Sequence, residues 1–141
     1  MARGGRPVKK IEFFVPLRTI NDTTLQEQKT GVNKKTRKPY KYNTDAIKNL
    51  RQDYIAWFGP YAPEEPLAGP VALTVVWQYP REDNYQMEPK TSRPDTDNMV
   101  KLLKDQMTKF RFWEDDAQVY REQLVKVYAD PSGIYVKVEE E

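Results

Sequence analysis

The run Val71–Tyr79, VALTVVWQY, constrains the fold more than any other stretch of the chain. Its β-branched and aromatic residues suit a pleated strand. They are nearly continuous rather than strictly alternating, which marks a central strand. Other strand signals surround it. Ile11–Arg18 (IEFFVPLR) is β-rich, but Pro16 makes it an edge strand or ends it early. Val119–Ala129 and Ile134–Glu139 read as two more strands, joined by a turn at Asp130-Pro131-Ser132-Gly133.

Two segments carry a helical period. From about Asp45 to Phe58, Ile47, Leu50, Tyr54 and either Trp57 or Phe58 share one face. Asn43 or Thr44 can cap this helix, and Gly59-Pro60 stops it. From about Asn98 to Lys109, Val100, Leu103 and Met107 mark the second apolar stripe. Residues 19–41 read as a loop or loose hairpin, Tyr61–Pro70 as a Pro-rich loop, and Arg81–Pro94 as a polar loop long enough to be functional or disordered. At 141 residues, one domain is the expectation. The order of elements predicts a compact α+β domain with a mixed β-sheet and two main helices packed on it. Residues 1–10 form a flexible basic arm in this reading.

Composition narrows the chemistry. The chain has no cysteine and no histidine, and its only serines are Ser92 and Ser132. Disulfides, thiolate or imidazole metal ligands and a Ser-His-Asp triad are therefore excluded. Hydrolysis by such a chain falls to carboxylates, lysine or a hard metal held by oxygen. No apolar run approaches the roughly 18 residues that span a bilayer, and MARGGRPVKK leads into no signal-type segment. A cytoplasmic protein without membrane contact is expected. Charge is uneven: residues 1–60 hold 13 Lys+Arg against 5 Asp+Glu, and residues 61–141 hold 10 against 16. A basic first part suits a polyanion, while the acidic second part suits something cationic.

Three short pieces could carry chemistry: Asp95-Thr96-Asp97-Asn98, Lys101, and Asp115-Asp116. In extended chain, Asp95 and Asp97 point the same way and repel unless a cation lies between them. A hard divalent ion such as Mg²⁺ meets that need. Lys101 lies four residues after Asp97, on the same side of a helix that begins at Asn98. Asp116 can return to this pair only if the helix ends near Phe110 and Phe112-Trp113 pack back along it. A plainer account also fits. Asp97 or Asn98 is then a helix cap, and Asp115-Asp116 an ordinary turn.

The run RPDTDNMVKLLKDQMTKFRFWEDDAQV as a whole resembles the RusA family of Holliday junction resolvases, small phage-type endodeoxyribonucleases. The elements are Asp95, Asp97, Asn98, Lys101, Trp113, Asp115, Asp116, Gln118 and Val119. The resemblance implies that Asp95, Asp97 and Asp116 bind Mg²⁺ (or Mn²⁺) and that Lys101 assists catalysis. Asn98 and Asp115 support the site, Asp115 as a partner of the ligands or a further one. It also implies a homodimer acting on four-way DNA, from a phage or prophage in a bacterial host. Relatives often carry a dense basic stretch before Asp-x-Asp; here Arg81, Lys90 and Arg93 alternate with Glu82, Asp83 and Glu88.

The expected reaction is phosphodiester hydrolysis by paired symmetric nicks, leaving 5′-phosphate and 3′-hydroxyl ends. DNA contacts are expected from Lys34, Lys35, Arg37, Lys38, Lys41, Lys90 and Arg93, with Tyr40 and Tyr42 stacking on unpaired bases. Three alternatives remain at this point: a non-catalytic DNA-binding protein, a nuclease for flaps or single strands, and an adaptor in a phage particle.

Overall fold

The computed structural model describes residues 9–21, 28–81 and 87–141. Residues 1–8 of the basic arm lie outside them, as do residues 82–86 of the polar loop. The strands and α-helices of the described residues follow in chain order: β1 (Lys10–Pro16), β2 (Lys29–Val32), β3 (Pro39–Tyr42), α1 (Asp45–Phe58), β4 (Val71–Tyr79), β5 (Glu88–Pro89), α2 (Thr96–Lys109), β6 (Val119–Tyr128) and β7 (Gly133–Glu140). Five strands form one mixed sheet in the order β1-β7-β4-β6-β5, and β2 and β3 make a separate hairpin. The α+β class and mixed sheet are as expected.

VALTVVWQY is the central strand, antiparallel to β7 on one side and parallel to β6 on the other. Its Val71, Leu73, Val75 and Trp77 are buried, while Thr74, Val76 and Gln78 are half-buried. This alternation follows from both helices lying on one side. Leu50, Tyr54 and Phe58 of α1 and Val100, Leu103 and Met107 of α2 share one core with Phe13, Val15, Val136 and Val138. Pro16 sits at the sheet edge, where its missing N–H breaks no ladder.

Helix α1 begins where expected: the Thr44 hydroxyl accepts from Ile47 N at 3.4 Å. Phe58, rather than Trp57, is the buried aromatic of its last turn. Three details differ from the sequence expectations. Lys10, assigned to the arm, pairs with Glu139 as the first residue of β1. The loop before α2 contains β5, because Met87 N donates to Tyr128 O (2.8 Å) and Lys90 N to Lys126 O (2.9 Å). Helix α2 starts at Thr96, two residues early, since Asp95 O accepts from both Asn98 N and Met99 N. As expected, a turn joins β6 to β7; the two strands flank β4, and the turn passes over its end, where Gln78 Nε2 donates to Pro131 O at 2.8 Å.

Candidate active site

The early start of α2 changes the relation between the two aspartates. Asp95 is the extended residue just before the helix (φ −75°, ψ 143°), and Asp97 belongs to its first turn. They are therefore not alternate residues of an extended segment. They flank a helix N-terminus, whose unpaired N–H groups and dipole favour negative charge. Both are exposed, as is Lys101, one turn after Asp97. Asn98 is buried.

The approach to the helix is clamped. The Lys126 ammonium donates to Ser92 O and Pro94 O, each at 2.6 Å. The Lys90 ammonium donates to Arg93 O at 3.0 Å, bonds the Ser92 hydroxyl and lies 4.8 Å from the centre of the Tyr79 ring. Lys90, expected on DNA, is thus engaged by its own loop. Arg93 is exposed. The loop's position over β6 fixes which end of the sheet Asp95 and Asp97 occupy: the Lys126 end.

Asp116 occupies the other end. Halfway along α2, Lys104 Nζ lies 3.0 Å from Glu122 Oε2. At its far end, Trp113 Nε1 donates to Thr108 Oγ1 at 2.7 Å. Phe112 and Trp113 pack on the last turns of the helix, Phe112 N donating to Met107 O at 3.1 Å, and do not carry the chain back to its start. They cross to the chain before β4, where Leu67 N donates to Phe112 O (2.9 Å) and Leu67 bridges Trp113. A 14-residue helix is about 21 Å long; Asp97 lies in its first turn, and the turn bearing Asp116 follows its far end. Among the described residues, no three acidic side chains come together as a set able to hold one ion.

The turn bearing Asp116 is tightly built. Asp115 caps a 3-10 turn over Asp116–Gln118, its carboxylate accepting from Ala117 N at 2.9 Å. The Gln118 amide serves four backbone groups: Oε1 accepts from Glu114 N (2.8 Å) and Asp115 N (2.9 Å), and Nε2 donates to Leu67 O (2.8 Å) and Gly69 O (3.1 Å). Asp115 is committed to the turn, whereas Asp116 is exposed. Gln118 belonged to the motif by position, and the structure shows what it does there. Lys126 was not anticipated. The two-residue period of β6 that places it beside Leu124 and Tyr128 was the available signal.

The donor set suits a hard cation: exposed carboxylates in a chain without nitrogen or sulfur ligands of the imidazole or thiolate kind. Asp95 and Asp97 offer two, and among the described residues of one chain no third joins them.

The basic segment forms an arm. Its tip is set by Asn33, whose N donates to Lys38 O (3.0 Å), whose O accepts from Arg37 N (2.7 Å) and whose Oδ1 accepts from Lys35 N (2.9 Å) and Thr36 N (3.1 Å). Gln28 Nε2 to Asn43 Oδ1, at 2.7 Å, closes its base. Lys34, Lys35, Arg37, Lys38 and Lys41 are all exposed, with Tyr40 and Tyr42 exposed beside them, ring centres 6.0 Å apart. Among the described residues, no helix is long and apolar enough to cross a membrane.

A crossover junction endodeoxyribonuclease (rusA) of Lactococcus phage r1t is 36% identical over 72 residues, covering 50% of this chain and 55% of the phage protein. The chain thus spans about half the length of that relative. The family model for endodeoxyribonuclease RusA matches residues 23–139, which include the arm, both aspartate elements and the whole of β4 and β6. On that match, this chain belongs to the RusA endodeoxyribonuclease family.

Proposed function

We propose that this chain is a metal-dependent endodeoxyribonuclease that resolves four-way DNA junctions by paired symmetric nicks, leaving 5′-phosphate and 3′-hydroxyl ends. The observation that carries the reading is the exposed Asp95–Asp97 pair at the N-terminus of α2, in a chain of this family. Asp95, Asp97 and Asp116 would hold Mg²⁺ or Mn²⁺, which would supply Lewis acidity toward a phosphodiester. Lys101 stands one turn from Asp97, where its ammonium offsets charge on the phosphoryl oxygens.

The separation along α2 bears on the assembly. A site using all three aspartates takes Asp95 and Asp97 from one copy and Asp116 from another. A two-fold dimer makes two such sites, one for each of the equivalent strands of a junction. The exposed cations Lys34, Lys35, Arg37, Lys38, Lys41 and Arg93 contact phosphates, and Tyr40 and Tyr42 offer faces to unpaired bases.

The test uses a synthetic four-way junction, a linear duplex and a flap, each with Mg²⁺ or EDTA. Paired nicks on the junction, lost in EDTA and in Asp97→Asn, support the reading. Wild-type cutting by Asp97→Asn overturns the site. Preferential cutting of the flap replaces the substrate, and binding without cutting by any metal-loaded sample identifies a non-catalytic DNA-binding protein.

A further inference from the structure

Three consecutive carbonyl oxygens, those of Ser92, Arg93 and Pro94, are held by two lysine ammoniums immediately before Asp95. We propose that Lys126, assisted by Lys90, is a positioning residue that shapes the strand-to-helix loop and thereby sets Asp95 and Asp97 for a divalent cation. The inference rests on the metal role of those two aspartates.

Pro94 has no N–H, and the loop's carbonyls turn inward over β6. An ammonium offers three donors and can hold two oxygens at once; a neutral side chain of similar length holds neither. Lys126 reaches from the helix-bearing face of β6, with Leu124 and Tyr128 on either side along the strand. Its backbone also fixes the loop, since Lys90 N donates to Lys126 O at 2.9 Å. The same residue thus ties β5 through its backbone and the Ser92–Pro94 segment through its side chain. One residue later, Asp95 O accepts from the N–H groups of Asn98 (3.2 Å) and Met99 (3.1 Å), the third and fourth residues of α2. Nothing slack separates the clamp from the helix, so where the clamp places Pro94 decides where Asp95 and Asp97 stand. Groups that orient metal-binding side chains matter to metal affinity nearly as much as the ligands do.

The experiment compares wild type, Lys126→Met, Lys126→Arg, Lys90→Met and Asp97→Asn. It measures Mn²⁺ binding by the protein alone from the loss of free-ion EPR signal, junction binding in EDTA, and the cutting rate. Lys126→Met is expected to weaken Mn²⁺ binding about tenfold to a hundredfold, leave junction affinity in EDTA within about twofold, and lower kcat rather than raise KM. Lys126→Arg, which keeps the donors, recovers most of the Mn²⁺ affinity, and Lys90→Met gives a smaller loss of the same kind. Wild-type Mn²⁺ binding by Lys126→Met overturns the proposal. So does a matching loss in Lys126→Arg, or, where Lys126→Met does not fold, wild-type Mn²⁺ binding by Lys90→Met. Unchanged Mn²⁺ binding in Asp97→Asn instead sinks the metal site itself, which separates the two failures.

Discussion

Lys104 of α2 pairs with Glu122 of β6 at 3.0 Å, halfway along the helix. With the Lys126 contacts at one end and the Trp113–Thr108 bond at the other, this pair fixes α2 antiparallel to β6. The direction of the helix is what sends Asp97 and Asp116 to opposite ends of it.

Subunit mixing tests that consequence. Asp97→Asn and Asp116→Asn are each expected to be inactive as pure proteins. In a heterodimer of the two, a site shared between copies carries both changes at one position and neither at the other. An equal mixture therefore recovers about a quarter of the wild-type sites, and these make single nicks. A site held within one chain recovers nothing. Nicked-product assays on a junction distinguish the two.

Replacing Lys34, Lys35 and Lys38 together by Gln is expected to lower junction affinity and flatten its salt dependence, by roughly 2 to 3 in the slope of log K against log [salt]. Stability should not change, because all three side chains are exposed on the arm. Gly31→Ala probes the aromatic part of the arm, since a Cβ there would lie 2.7 Å from the Tyr40 ring and push it off the strand. Fluorescence anisotropy across a salt series, paired with urea unfolding, reads both effects.

Trp113 and Gln118 anchor the turn that carries Asp116, and their loss should destabilise the fold by different amounts. Trp113 is fully buried, so Trp113→Ala is expected to cost about 3–5 kcal/mol. Gln118→Ala leaves four backbone groups short of a partner at a half-buried place and is expected to cost about 1–3 kcal/mol. Urea denaturation gives the order directly.

Glu12 and Tyr135 join the edge strand to its neighbour and provide a pH signature. The hydrogen bond from the Tyr135 hydroxyl holds the Glu12 carboxyl below its usual 4.5. The same bond, with some burial, pushes Tyr135 up to about 12. For the lowered acid, the contribution is complete above pH 4.5 and fades as pH falls through the folded value. For the raised phenol, it is complete below pH 10 and fades as pH rises toward 12. Protection of the β1 amides, relative to their intrinsic exchange rates, should therefore fall at both extremes, and Tyr135→Phe should abolish the alkaline step and remove one phenolate from the absorbance change at high pH.

Much of this was legible in the residues. The apolar stripe Ile47, Leu50, Tyr54 located α1, the choice of Asn43 or Thr44 as cap bracketed its start, and VALTVVWQY announced the centre of the sheet. The start of α2 was harder. Asp95, Thr96, Asp97 and Asn98 can all cap a helix, and only the carbonyl that captures Asn98 N and Met99 N decides among them. The short β5 was hidden because two residues carry no period; it exists by virtue of its partner strand.

What the residue order settles on its own is local: the pleat of a β-branched run, the 3.6-residue stripe of a helix, the turn at a Pro or Gly, and a chemistry limited to oxygen ligands and lysine. Those follow from the geometry of neighbouring residues. The sheet order, the common side taken by both helices, the inward reach of Lys126 and Lys90, and the distance between Asp97 and Asp116 were decided only in three dimensions. Each depends on which distant surfaces pack together, and that choice is made by the core as a whole.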